Sequence, residues 1–97
     1  MKLEEALDQI DSLTDEDAVF AKRPWQLDSE ALIGKLDENS GVPKPIAEQK
    51  LDYFIDVPVA KEVLGIFGSR QISQLGRRAL LLYYAEHDTY PKWVYQP

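Results

Sequence analysis

The sequence predicts an α+β fold, with a small antiparallel sheet of three strands covered by three main helices. Apolar residues recur at spacings of three and four through residues 2–13, 58–68 and 73–87, the period of helices with one buried face. Shorter runs at 18–22, 30–37 and 51–57 carry alternating, β-branched or aromatic residues and are bounded by Pro, Gly, Asp and Asn. A length of 97 residues with an apolar fraction of 44% suits one hydrophobic core, so residues 1–97 are expected to form one domain.

In the first helix Leu3, Ala6, Leu7, Ile10 and Leu13 share a face. Glu4, Glu5, Asp8 and Asp11 fall on the others, mainly toward the N-terminus, where the helix dipole favours acids. Asp15, Glu16 and Asp17 follow that helix and lack this explanation. Ala18-Val19-Phe20-Ala21-Lys22 reads as a strand stopped by Pro24, which has no amide hydrogen for an inner ladder. Leu27 to Asp37 reads as a strand over 30–37, because Gly34 interrupts any helix and Asp28-Ser29 and Asp37-Glu38-Asn39-Ser40-Gly41 bound the run. That second boundary is the clearest loop in the sequence, and disorder is not expected except at the ends and around residues 37–43.

Pro43 and Pro45 suit the first turn of a short helix through Ile46-Ala47-Glu48-Gln49. Leu51 to Val57 is the clearest strand. Pro58 then opens a helix whose face is Val59, Val63, Ile66 and Phe67, with Gly68 just past its end. In the last helix Leu75, Ala79, Leu82, Tyr83 and Glu86 form one stripe, and Leu80, Leu81 and Tyr84 make the later half apolar nearly all round. A central helix buried on several sides is expected. Asp88 to Tyr95 reads as an extended segment restricted by Pro91.

Composition narrows the function classes. Without cysteine there is no disulfide, thiolate zinc site or Cys nucleophile. The longest apolar run, Ala79 to Ala85, falls far short of the roughly 20 residues of a membrane span. Met1-Lys2-Leu3-Glu4-Glu5 places acids where an export signal is basic and then apolar, so a cytoplasmic location without membrane contact is expected. Direct nucleic-acid binding is not expected either, because the only basic grouping is Arg77-Arg78 with Arg70 nearby, which reads as a solvated helix face.

Catalytic constellations are few. Glu86-His87-Asp88 contains the only histidine, but adjacent residues at a helix end diverge and no second histidine stands four residues away to complete a zinc face. Ser69 or Ser73 could be drawn with His87 and an acid as a triad, yet no Gly-x-Ser-x-Gly elbow is present. Gly65-Ile66-Phe67-Gly68-Ser69-Arg70 lacks the Gly-Lys unit of a phosphate loop and reads as a helix end and turn. No catalytic residue, metal or cofactor is predicted, and a small hydrolase is the least favoured class.

Binding features are stronger. Seven of the seventeen carboxylates lie in the first seventeen residues, where Lys2 is the only base. That segment carries the whole formal charge of −6, and the remainder is balanced at ten acids and ten bases. A localised acidic field can steer a basic partner. Half of the ten aromatics, Tyr83, Tyr84, Tyr90, Trp93 and Tyr95, fall in the last fifteen residues, and Tyr and Trp are common interface anchors. Trp25 reads as a core or loop anchor.

Ala21-Lys22-Arg23-Pro24-Trp25, Leu27-Asp28-Ser29, Tyr53-Phe54 and Tyr83-Tyr84-Ala85-Glu86-His87-Asp88-Thr89-Tyr90-Pro91-Lys92-Trp93 together resemble a family of small uncharacterised domains of bacteria and their phages. The resemblance implies a bacterial, stand-alone, non-secreted domain and carries no assigned activity or functional residues. The function expected from the residues is non-enzymatic protein binding, in the manner of an immunity-like or inhibitor protein. Glu4, Glu5, Asp8, Asp11, Asp15, Glu16 and Asp17 would steer a basic protein, with Tyr90 and Trp93 as anchors. The alternative is a structural or oligomeric accessory module whose aromatic C-terminal segment packs against a second copy.

Overall fold

The computed structural model describes residues 1 to 95. In chain order the elements are helix α1 (Leu3–Asp8) with a 3₁₀ turn at Ile10–Ser12, strand β1 (Asp17–Ala21), strand β2 (Ala31–Lys35) and helix α2 (Lys44–Glu48). Strand β3 (Asp52–Asp56), helix α3 (Val57–Leu64) with a 3₁₀ turn at Gly65–Phe67, helix α4 (Gln74–His87) and a 3₁₀ turn at Lys92–Tyr95 follow. The fold is α+β, and its three strands form an antiparallel sheet in the order β2-β1-β3.

The central place of β1 explains its unbroken apolar run, because a strand flanked on both edges and covered on both faces has no polar side. Val19 and Ala21 enter the larger core with Leu3, Leu7, Ile10, Ile55, Val63, Leu80 and Leu81. Ala18 and Phe20 point the other way, into a smaller cluster closed by Ile46 of α2 and by Leu51. Helices α1, α3 and α4 thus contribute to the core on one side of the sheet and α2 to that on the other. Val19 pairs with Ile33 on one edge and Ile55 on the other, and the β1–β3 ladder shifts register between Val19 and Phe20.

Local chemistry sets the ends of the elements. The first free amides of α1 are satisfied from a neighbouring loop, Leu3 N donating to Ser29 O and Glu4 N to Leu27 O, each at 2.8 Å. The Asp56 carboxylate accepts from Val59 N at 2.9 Å and caps α3, while Ser73 Oγ accepts from Gly76 N at 3.1 Å and caps α4. At Gly68 the backbone takes φ of +57°, open to glycine and strained for other residues.

Three sequence expectations are corrected, and the loop read at residues 37–41 takes a defined form. The first helix is shorter than 2–13, because Ser12 Oγ bonds back to Gln9 O at 2.9 Å in a tightened 3₁₀ turn. Residues 37–41 form a closed turn in which Asp37 Oδ1 accepts from Asn39 N at 2.9 Å and Gly41 N at 2.7 Å. The segment after α4 coils into a 3₁₀ turn with Pro91 and Val94 buried, and Arg70 Nη2 donates to Val94 O at 2.9 Å.

The largest correction concerns α4. It lies at the surface, burying Leu80 and Leu81 while Leu75, Ala79, Tyr83 and Glu86 of the expected core stripe face outward. Both stripes are apolar in sequence. In the observed orientation Leu80 and Leu81 are fully buried, and Arg77 and Arg78 reach Asp11 and Asp8.

Candidate protein-contact site

Intramolecular cations meet most of the acidic N-terminal segment. Arg78 grips Asp8 with both ends of its guanidinium, Nε lying 2.8 Å from Oδ1 and Nη2 against Oδ2, and its Nη1 approaches Glu4 at 3.6 Å. Arg77 meets Asp11 at 2.8 Å. Lys61 of α3 approaches Asp15 at 3.7 Å, and Lys35 of β2 approaches Glu16 at 3.4 Å and Asp17 at 3.6 Å. Glu5 accepts the Lys2 amide at 2.7 Å, closing the first turn of α1. Arg78 is therefore a clamp between α4 and α1, and Arg77 one between α4 and the 3₁₀ turn that follows α1, where a solvated helix face was expected.

Two acids are tuned by this arrangement. The Arg78 guanidinium hydrogen-bonded to Asp8 holds its carboxyl below the usual value of 3.8, with partial burial opposing it. The Thr14 amide, donating to Asp17 at 2.9 Å, lowers Asp17 likewise, helped by the Thr14 hydroxyl and Lys35. These groups order the fold. Asp11, Asp15 and Glu16 differ, because their side chains remain 72%, 79% and 81% exposed and each meets its cation through a single contact. Those three keep carboxylate oxygens turned to water.

The apolar surface gathers at the other end of the chain. Five large hydrophobic side chains stand exposed among the described residues, and four of them lie on α4 or the final turn: Leu75 at 62%, Tyr83 at 36%, Trp93 at 40% and Tyr95 at 67%. Ala79, Leu82, Tyr83, Glu86 and His87 line an open groove of about 350 Å³ floored by the otherwise buried Trp25. Trp25 is anchored by its indole N–H on Ala21 O at 3.2 Å and by an edge-on contact with Phe54. His87 lies against the Tyr83 ring with centroids 4.3 Å apart.

Of the two predicted aromatic anchors, Tyr90 is half-buried and packs on Tyr84, 5.4 Å between centroids. Trp93 stacks on Phe67 at 6.0 Å and leaves part of its ring in water. Ser73 caps the start of α4 and His87 ends it, about 21 Å along the helix axis, so they do not converge. Among the described residues no three His, Cys, Asp or Glu side chains converge as a metal site, and no helix is long and apolar enough to cross a membrane.

Sequence reasoning missed the pairing of the acids and the outward apolar face. Glu4, Asp8 and Asp11, spaced four and three apart, form one helical stripe, and that was the available signal for a basic stripe opposite. The fold and surface thus define a small α+β domain with an apolar helix face and a partly neutralised acidic end. Comparison with family models, with curated proteins and with solved structures finds no match to this chain.

Proposed function

We propose that the chain is a small, non-enzymatic protein-binding domain, acting in the manner of an immunity or inhibitor protein on a basic partner. The observation that carries this reading is the concentration of exposed Leu75, Tyr83, Trp93 and Tyr95 on α4 and the final turn. Aromatic and aliphatic side chains held at a rigid surface are the usual anchors of protein contact. Asp11, Asp15 and Glu16 supply the steering charge, and Glu4, Glu5, Asp8 and Asp17 serve the fold. A bacterial or phage origin and a cytoplasmic location belong to the same proposal.

The test is capture from lysate with the native chain beside two variants, Tyr83→Glu and the triple neutral form of Asp11, Asp15 and Glu16. A protein held by the native chain and lost with Tyr83→Glu supports the contact face. One held equally by all three removes it.

The second reading, self-association, is favoured by the symmetry of the α4 strip. Small Ala79 lies between Leu75 and Tyr83, each four residues away, so the strip is near-symmetric about its middle and could meet its own copy across a two-fold axis. Its area is the difficulty, since a 14-residue helix about 21 Å long with a strip about 10 Å wide offers roughly 200 Å² per copy against the roughly 800 Å² of a stable interface. Sedimentation at high concentration decides it, with Leu75→Ser and Tyr83→Ser as variants. Deleting residues 90–97 would be uninformative because Pro91 and Val94 are buried.

A further inference from the structure

A second concavity opens at the C-terminal end of α4, a cleft of about 230 Å³ between α4, β3 and the start of α3. It is smaller than the roughly 300–1,000 Å³ of sites for drug-sized ligands and suits the end of one side chain. Tyr53, Phe54 and Tyr84 bring three aromatic residues to its lining, with Phe54 itself almost fully buried, and Ile55, Val59, Ala85 and Asp88 complete it. Tyr53 is fixed in place, its hydroxyl donating to Asp56 Oδ2 and accepting from Asp56 N, both at 3.1 Å.

The electrostatics of the cleft have one sign. Burial, then the Asp56 charge, push the Tyr53 phenol up to about 12. Burial, then Asp88, Tyr90 and Glu62, raise Tyr84. Both phenols are therefore neutral at ordinary pH, in a negative local field. Unlike most acids of the N-terminal segment, Asp56, Glu62 and Asp88 make no ion pair among the described residues. An aromatic lining that holds an acid and no cation is complementary to an organic cation.

We propose that this cleft binds an alkylammonium group, the end of a lysine side chain on the basic partner. The assignment to a partner's lysine rests on the protein-binding reading above. An ammonium fits better than a guanidinium, because each Asp56 oxygen already accepts one hydrogen bond, Oδ1 from Val59 N and Oδ2 from Tyr53, which leaves Asp88, whose carboxylate the Tyr84 hydroxyl also meets, as the one acid of the lining. One carboxylate and aromatic side chains match a compact charge on an apolar stem, whereas a planar fork needs in-plane acceptor pairs. The ladder pairs Asp56 with Ala18, so the cap of α3 and the Asp15–Asp17 turn lie at the same end of the sheet. A basic chain steered to those acids arrives beside the cleft.

The experiment is a titration of the isotope-labelled full chain with butylammonium chloride, followed by amide shifts, beside n-butanol and sodium chloride at equal concentration. Saturable shifts at Phe54, Ile55, Val59 and Ala85 with butylammonium alone are expected. Asp88→Asn, which keeps a residue tolerant of the left-handed backbone found there (φ +55°), should weaken binding about fivefold. Tyr84→Leu should weaken it about three- to tenfold. Shifts equal to those from n-butanol, or unchanged by Asp88→Asn, overturn the site. A capped lysine peptide should bind more tightly than butylammonium and its norleucine counterpart should not bind; a lysine peptide no tighter than butylammonium overturns the assignment to a partner's side chain. Because butylammonium is read without any partner, a failed cleft leaves the α4 contact face standing, and a failed capture leaves the ammonium site standing.

Discussion

The orientation of α4 decides which surface is free for a partner, and paired substitutions on its two faces test it. Leu81 is completely buried and Leu75 is 62% exposed on the same helix. Leu81→Ala removes three carbon groups worth about 0.8 kcal/mol each on transfer, and the unfilled cavity brings the cost to roughly 2.7–5 kcal/mol. A central value of about 3.5 kcal/mol is a large part of the roughly 5–15 kcal/mol that stabilises a domain. It corresponds to a fall in Tm of about 15–25 °C for a chain of this size. In urea, with a slope of about 1.2 kcal/mol per molar, the midpoint should drop by about 3 M. Leu75→Ala should change stability by no more than about 0.5 kcal/mol. Urea unfolding followed by far-UV circular dichroism reads both variants. Equal losses, or a Leu81→Ala cost below about 1 kcal/mol, would refute the assigned faces.

Other consequences concern acid, glycine and capping positions. Because the folded carboxyls of Asp8 and Asp17 lie below 3.8, they bind protons less readily than in the unfolded chain, so their contribution is present above pH 3.8 and is lost as pH falls through their lowered folded values. Asp8→Asn should flatten the fall of the urea midpoint in that acid range. Gly76→Ala should fail to give the usual gain of about 0.8–1 kcal/mol for alanine in a helix. A β-carbon there meets Ile72 Cγ2 at 2.8 Å, and denaturant titration should show a net loss of about 1 kcal/mol. Asp56→Ala should cost about 1–2 kcal/mol through the lost α3 cap and lower the Tyr53 phenol from about 12, measured by ultraviolet titration.

How far the sequence could be read follows from the range of its interactions. The buried face of α1, the strand at 18–22 and the strand at 51–57 were legible because spacing and composition act within a few residues. The closed turn at 37–41 was obscured because Asp37 satisfies it through side-chain bonds that polar composition alone does not distinguish from disorder. The acidic segment read as a free field because its partners Arg77 and Arg78 lie about 70 positions away along the chain. For α4 the two apolar stripes were equivalent in pattern, and which of them is buried depends on packing with elements far away along the chain. The cleft at Tyr53, Tyr84 and Asp88 had no local motif, since it joins a strand to a helix end through packing.

The most direct measurement is the affinity of the captured partner for the native chain, for Tyr83→Glu and for the Asp11, Asp15 and Glu16 neutral form, each at low and at physiological salt. Tyr83→Glu should weaken binding about thirtyfold at both salts, as loss of an interface anchor does. The neutral form should bind more slowly at low salt and lose most of its salt dependence. Native affinity and native salt dependence in both variants would contradict the proposed contact face and its steering acids together.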